Sequence, residues 1–506
     1  MTADLSLNKT RRVPFFWRQF LSQKTALILS VLIFFLSMSV PMLSAVSERW
    51  DGAEITETEK TFSLFESVLG IVSVSTFLLM ALTALSAALA FGIYADRKSA
   101  YYYGALPVSR DALFCQRTLA GFLAPLPGYL VNFLLVLAML LTSPLDVGPI
   151  VPMLFAYTGY ALLFCFATYA VCVFAASLTS NKIGTLLLSG YLFLLAPVHL
   201  GLARLLTEEF LPSGRSFSFF RGDGLCEAII NRSSPAAIAI RFFNEAENQT
   251  RTWVYELDGG RERSYAECMK LVSLPAAETV LLVVISLLLL LAALLIHRRR
   301  PAENAGETFA FPRVGEVIKY SILVSCGAAF GLFFEALLFD TLIAFFFGAV
   351  FGVVFGAVIL NLVIYRTPKK IFYKPKRLLV FTAILLAVFL LAAILCNQTG
   401  IFRFTAENVA TVSFEYGDPI PPEQLDRQLL LKVLEQWEKA SDYAEYDKTV
   451  YVPISVELTS RRGLIERRYV PLTRYYIEQL SPYFGSEYSI AEIEEKYAYY
   501  SETASY

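Results

Sequence analysis

Nine long apolar runs divide this chain, and each is close to the length at which a helix crosses a hydrocarbon layer. They are Thr25–Val46, Val68–Tyr94, Thr118–Thr142, Val151–Leu178, Ile183–Leu205, Ala276–Ile296, Ile318–Phe339, Thr341–Tyr365 and Leu378–Cys396. A core about 30 Å thick takes roughly 20 helical residues at about 1.5 Å each. Lipid offers the backbone no hydrogen-bond partner, so runs this apolar must be helical. The clearest run, Ala276–Ile296, carries one early acid, Glu278, and stops at His297-Arg298-Arg299-Arg300. The expectation is an all-α polytopic membrane protein. Charge agrees: 17% of the residues are charged, where a soluble chain averages about 25%. The first run is too long for the apolar part of a signal peptide, and no small-residue cleavage site follows it. It reads as a retained span.

The cations fall on one side of these runs. Lys9, Arg11, Arg12, Arg18 and Lys24 precede the first. Arg97, Lys98, Arg110 and Arg117 lie between the second and third, and Lys182 between the fourth and fifth. Arg298, Arg299, Arg300, Arg313 and Lys319 follow the sixth; Arg366, Lys369, Lys370, Lys374, Lys376 and Arg377 follow the eighth. The opposite short connections hold only Arg49 and Lys60. Short cytoplasmic loops are enriched in Lys and Arg, so the N-terminus is expected inside and, with an odd number of spans, the C-terminus outside.

Two long polar parts are then external: a loop over 206–275 and a tail over 397–506. In the tail, Val409–Tyr416 alternates like a strand. Pro421-Pro422-Glu423 opens a helix with Leu425, Leu429, Leu430, Val433 and Leu434 on one stripe. Val450–Leu458 and Leu464–Leu472 flank a turn at Arg461-Arg462-Gly463. These patterns predict a small extracytoplasmic α+β domain. Before the first span, Val13–Leu21 mixes aromatic residues with cations and reads as an interfacial helix within an N-terminal segment, 1–24.

Catalytic chemistry finds no constellation. The two histidines, His199 and His297, are far apart in the plan. There is no H-E-x-x-H, no phosphate-cradling G-x-x-x-x-G-K-[ST] and no nucleophile elbow. Nothing points to nucleic acid. Cys115, Cys165, Cys172, Cys326 and Cys396 lie in or beside spans. Cys226 and Cys268 share the 206–275 loop, where a pair and two free thiols are both open. Glu335 is the main ionisable residue inside a span. A charge at mid-membrane costs about 2.5–3.5 kcal/mol, so Glu335 is a candidate polar site, set against snorkelling or pairing near the outer surface. Gly348, Gly352 and Gly356 recur every fourth residue in the eighth span, as Gly327 and Gly331 do in the seventh. Such stripes let helices approach closely, with Val353 expected off the stripe. Pro41, Pro125, Pro127 and Pro197 are candidate kinks.

The most specific stretch is the connection from Tyr94 to Phe114. It is rich in aromatic and charged residues, contains Leu106-Pro107-Val108-Ser109-Arg110, and places Ser109 to cap the third span. With Leu119-Ala-Gly-Phe-Leu and Pro127 behind it, and the segment Arg300–Phe311 later, the chain resembles the permease subunits of type-2 ABC exporters, in a bacterial subgroup with an external C-terminal domain. The resemblance implies a six-span permease core at 25–296, three additional spans at 297–396 and the external domain at 397–506. It implies no nucleotide site of its own: ATP and Mg are bound by a separate cytoplasmic ATPase subunit. That subunit would dock on the coupling loop through residues such as Asp96, Arg97, Lys98, Tyr102, Leu106, Pro107 and Arg110. It also implies a second permease chain, identical or a sister, in a bacterial plasma membrane. A membrane sensor or scaffold with a ligand-binding external domain, and a secondary carrier, are the rival readings. The carrier requires several intramembrane charges and an internal repeat.

Overall fold

The computed structural model describes residues 15–47, 57–92, 98, 101, 109–211, 215–220, 225–257, 271–300, 307–338, 341–365, 367–398, 404, 407–414, 418–439, 451–461 and 463–483. Among them, nine helices are long and apolar enough to cross a membrane, joined by a small strand region. The chain is an all-α multi-pass membrane protein carrying a small α+β domain.

A short helix, α1 (Phe15–Ser22), comes first. It keeps Trp17 and Leu21 exposed and buries Gln19. This is the inverse of a soluble amphipathic helix and suits an apolar surround. The first span, α2 (Lys24–Ser47), widens into a π turn at Phe35–Ser39. Pro41 follows at once; a proline has no N–H for the i−4 carbonyl, and the wider turn absorbs the mismatch. Asn132 secures the widened turn: Ser39 Oγ donates to Asn132 Oδ1 at 2.7 Å, and Asn132 Nδ2 donates to the Gly128 carbonyl at 2.8 Å.

The second span lies in α3 (Glu57–Ala90). It starts well before its apolar run. The third is broken: α4 (Arg110–Leu123) and α5 (Leu126–Leu141) meet at Ala124-Pro125, where the expected proline kink falls. The fourth and fifth spans are α6 (Ile150–Leu178) and α7 (Lys182–Phe210). The loop that follows is not merely polar. It contains strand β1 (Arg215–Phe217) and helices α8 (Leu225–Arg232) and α9 (Pro235–Leu257). The last four spans are α10 (Ala276–Arg298), α11 (Pro312–Leu337), α12 (Leu342–Tyr365) and α13, which runs Pro375–Gln398.

The strand region comprises β1, β2 (Val409–Phe414), β3 (Tyr451–Ser460) and β4 (Leu464–Thr473), in the order β1-β4-β3-β2 and antiparallel throughout. Gly463, at φ +78°, turns β3 into β4, a left-handed conformation that glycine adopts without strain. Helix α14 (Arg427–Lys439) starts later than the Pro421-Pro422 pair suggests. Asp426 starts it instead, accepting from Gln428 N at 3.0 Å. Its stripe of Leu429, Leu430, Val433 and Trp437 covers Ile454, Val456, Val470 and Leu472 of the sheet. A last helix, α15 (Arg474–Leu480), closes the region.

Strand β1 belongs to the loop after the fifth span, yet it pairs with β4 after the ninth: Ser216 lies opposite Ile465. Four spans separate the two, an even number, so loop and tail emerge on one side of the membrane. The sheet therefore draws on chain outside 397–506, which the sequence division leaves out.

The chain forms two compact units. One takes residues 1–197, 230–322 and 357–373; the other takes 198–229, 323–356 and 374–506. The core of the first lies among α2, α3, α5, α6 and α9 around Phe65, Val72, Tyr129, Tyr157 and Phe164. The second has a helical core around Phe345, Ala349, Val353 and Phe389 and the sheet core already described.

Candidate functional site

The site that the sequence singles out begins where α3 ends and finishes where α4 begins. Asp96, Arg97, Tyr102, Leu106 and Pro107 lie outside the described residues. Lys98 and Arg110 are exposed, as is Tyr101. What the structure supplies is the frame that holds both flanks of this loop.

On the entry side, Arg117 is 3% exposed and donates through Nη1 to the carbonyl of Ala90 at 2.6 Å. The last carbonyls of a helix have no intrahelical donor, and a cation there also meets the negative end of the helix dipole. Arg117 thus caps the second span. On the exit side, Ser109 accepts from Ala112 N at 3.2 Å as the N-cap of α4. One residue into the helix, Asp111 receives Arg298 in a two-pronged pair, Nε to Oδ1 and Nη2 to Oδ2, both at 2.9 Å. Arg110 reaches the Arg298 carbonyl at 3.4 Å. The end of the sixth span is thereby tied to the start of the third. Between them His297 is buried against Phe91 and Phe114, with ring centroids 6.4 and 5.1 Å away.

Arg300 makes a third clamp. It is 7% exposed and donates to the Ala176 carbonyl at 3.1 Å, the Thr179 carbonyl at 2.6 Å and Ser180 Oγ at 3.1 Å. These acceptors end α6. The segment behind it is stitched to the same turn: Ala310 N donates to the Leu178 carbonyl at 2.9 Å, and Ser180 N donates to the Thr308 carbonyl at 3.2 Å. Three arginines that read in the sequence as topology signals therefore do structural work at helix ends. Residue type and spacing carry no sign of it, because each partner is a backbone carbonyl or a side chain far away in the sequence.

The glycines of the eighth span face α11. A Cβ on Gly352 would strike the Cys326 carbonyl oxygen and come within 2.7 Å of Phe330 Cβ; one on Gly348 would meet the Phe330 carbonyl and lie 2.6 Å from Phe334 Cβ. At Gly356 the nearest atom would be Cys326 Sγ, at 3.0 Å. The seventh-span glycines face back: Gly331 meets the Phe345 ring at 2.7 Å and Gly327 meets Val353 at 3.0 Å. Val353 is itself fully buried, so it is not an off-stripe position. Glu335 is 4% exposed, hence covered by protein rather than snorkelling into the open. Cys226 is buried, and Cys268 lies outside the described residues.

One polar cluster escapes the sequence reading. Glu278 is 8% exposed and accepts from Arg232 Nε at 2.8 Å and from Arg241 Nη2. Both arginines come from the helices of the 206–275 loop. Among the described residues, no group of three His, Cys, Asp or Glu side chains is placed to hold a metal ion.

Fold and site together define a multi-pass membrane protein with a clamped loop between its second and third spans. No family model, no curated protein and no solved structure matches the chain.

Proposed function

We propose that this chain is the membrane-spanning subunit of an ATP-driven exporter, worked by a separate ATPase that docks on the loop between the second and third spans. One observation carries the reading. That loop has the Leu106–Arg110 pattern of type-2 ABC permeases, and its flanks are fixed to three spans by Arg117, Ser109 and the Asp111–Arg298 pair. A docking loop must pass movement to the spans, and a loop clamped at both ends can do so. The cation bias supports placing it in the cytoplasm, with the sheet domain outside. A second permease chain completes the transporter, and the membrane is the plasma membrane of a bacterium.

Two experiments test this. Single cysteines are placed at Lys98 and Arg461 in a background from which all seven native cysteines have been removed. Arg461 is exposed in the turn between β3 and β4. An impermeant maleimide on intact cells should label Arg461→Cys and spare Lys98→Cys; the reverse pattern ends the topology and the exporter reading with it. Next, the Tyr102→Ala, Arg110→Ala double variant should insert normally but lose ATPase pull-down and transport. Aromatic and Arg side chains commonly anchor protein contacts. Retention of both at wild-type level moves docking to 313–319 or 367–376.

Ion-coupled carriage is the second reading, favoured by the buried Glu335. It requires transport by this chain without any ATPase partner, and Glu335→Gln to abolish that transport.

A further inference from the structure

The loop after the fifth span reads as polar, yet it puts an aromatic wedge into the first unit. Ser234 caps α9, accepting from Ala237 N at 3.1 Å, and the first half of the helix buries Ile238, Ala239, Phe242, Phe243 and Ala246. Phe242 packs against Tyr157, Tyr160 and Phe164 of α6, with centroids 5.2, 4.9 and 6.0 Å apart. Phe243 reaches Phe77 of α3 at 6.1 Å. Phe164 lies near the middle of its helix, so the wedge goes well below the end of the span.

The other attachment is ionic. Arg241, immediately before Phe242, and Arg232, at the end of α8, both hold Glu278 in the first turn of α10. The dipole at a helix start favours one carboxylate there, but it calls for no arginine. Apolar contact alone would fix a permanent strut, and replacing a buried ion pair by apolar groups is commonly neutral or better. Charges at this point give a defined register and a hold that is lost when the Glu278 carboxylate, 8% exposed and the shared acceptor of both arginines, is neutralised.

We infer that α9 is a latched wedge: the Arg232–Glu278–Arg241 cluster holds it in the bundle, and opening the cluster lets it leave as a unit. Its departure uncovers an aromatic pocket formed by Phe77, Tyr157, Tyr160 and Phe164. In the exporter reading α9 is the gate on the side opposite the docking loop, and the pocket accepts an apolar group of the cargo. That role rests on the exporter reading; the latch does not.

Hydrogen exchange read by mass spectrometry on the full chain in lipid nanodiscs tests the latch without ATPase or cargo. Glu278→Gln should speed exchange over 235–246 by about tenfold while α6 and α10 stay at wild-type rates. Arg241→Glu and Glu278→Arg, combined with Arg232→Gln so that no second cation faces the new arginine, rebuild one ion pair and should return exchange toward wild type. Leu282→Ala removes apolar bulk from the same core cluster without touching a charge, and should leave 235–246 closed. The inference is overturned by unchanged exchange in Glu278→Gln, by acceleration that spreads equally through α6 and α10, by failure of the charge swap to restore protection, or by Leu282→Ala opening the wedge as far as Glu278→Gln does.

Discussion

The two units hold their spans together by opposite means. In the first, helix ends are tied by long cationic side chains: Arg117 on Ala90, Arg300 on the end of α6, Arg298 on Asp111. In the second, α11 and α12 touch along a seam where side chains have been removed, and Gly348 and Gly352 lie against the backbone of the facing helix. Where apolar surround supplies no hydrophobic drive between helices, close approach and hydrogen bonds must do the holding. A seam works along a helix and resists bulk. A clamp works at one end and leaves the rest of the helix free to tilt. The clamped unit is the one with the candidate docking loop.

The largest effect belongs to the seam. Gly352→Leu meets a backbone carbonyl that no rotamer change can move aside, so the cost should reach or exceed the usual overpacking range of about 1–3 kcal/mol. The monodisperse fraction on size exclusion and the melting temperature should both fall sharply. Val354→Leu, at a position 39% exposed, should change neither. Equal behaviour of the two would dissolve the seam.

Arg300→Ala comes next. It strips three acceptors of a charged donor, and hydrogen bonds to charged groups are worth about 1.5–3 kcal/mol. A melting-temperature loss smaller than that of Ser109→Ala would show that the α6 end is satisfied some other way. Ser109→Ala itself should cost about 1 kcal/mol, the usual value of an N-cap, read from the same melts. The smallest stability effect is expected for Asp111→Asn, because the pair is about half exposed and solvent screens such pairs. A large loss of stability there would make the pair a structural strut. A small one, with transport lost and ATPase pull-down retained, would make it the link from loop to sixth span.

The seam was legible because a period of four is a property of one helix read alone. Its partner was not, which is why Val353 looks off-stripe and proves buried: α12 packs on α11 and α13 together, so adjacent residues are both covered. The spans, the hairpin turn at Gly463 and the Ser109 cap were legible for the same local reason. The clamps were not, since a cation that caps a helix and a cation that marks the inner face have the same sequence signature. The wedge left a trace: Ala236–Phe243 is an apolar run broken only by Arg241, too short to cross a membrane and so read as loop. Three-residue β1 left none.

That strand has a consequence for how the protein is made. Ser216 leaves the ribosome about 250 residues before its partner Ile465. At about 5–20 residues per second, roughly 12–50 s pass with one edge of the future sheet already delivered and nothing to pair with. Four more helices must insert during that interval, and the sheet closes only when β4 arrives. A chain cut short after its ninth helix would keep every span and lack β2, β3 and β4, leaving β1 as a strand without a sheet.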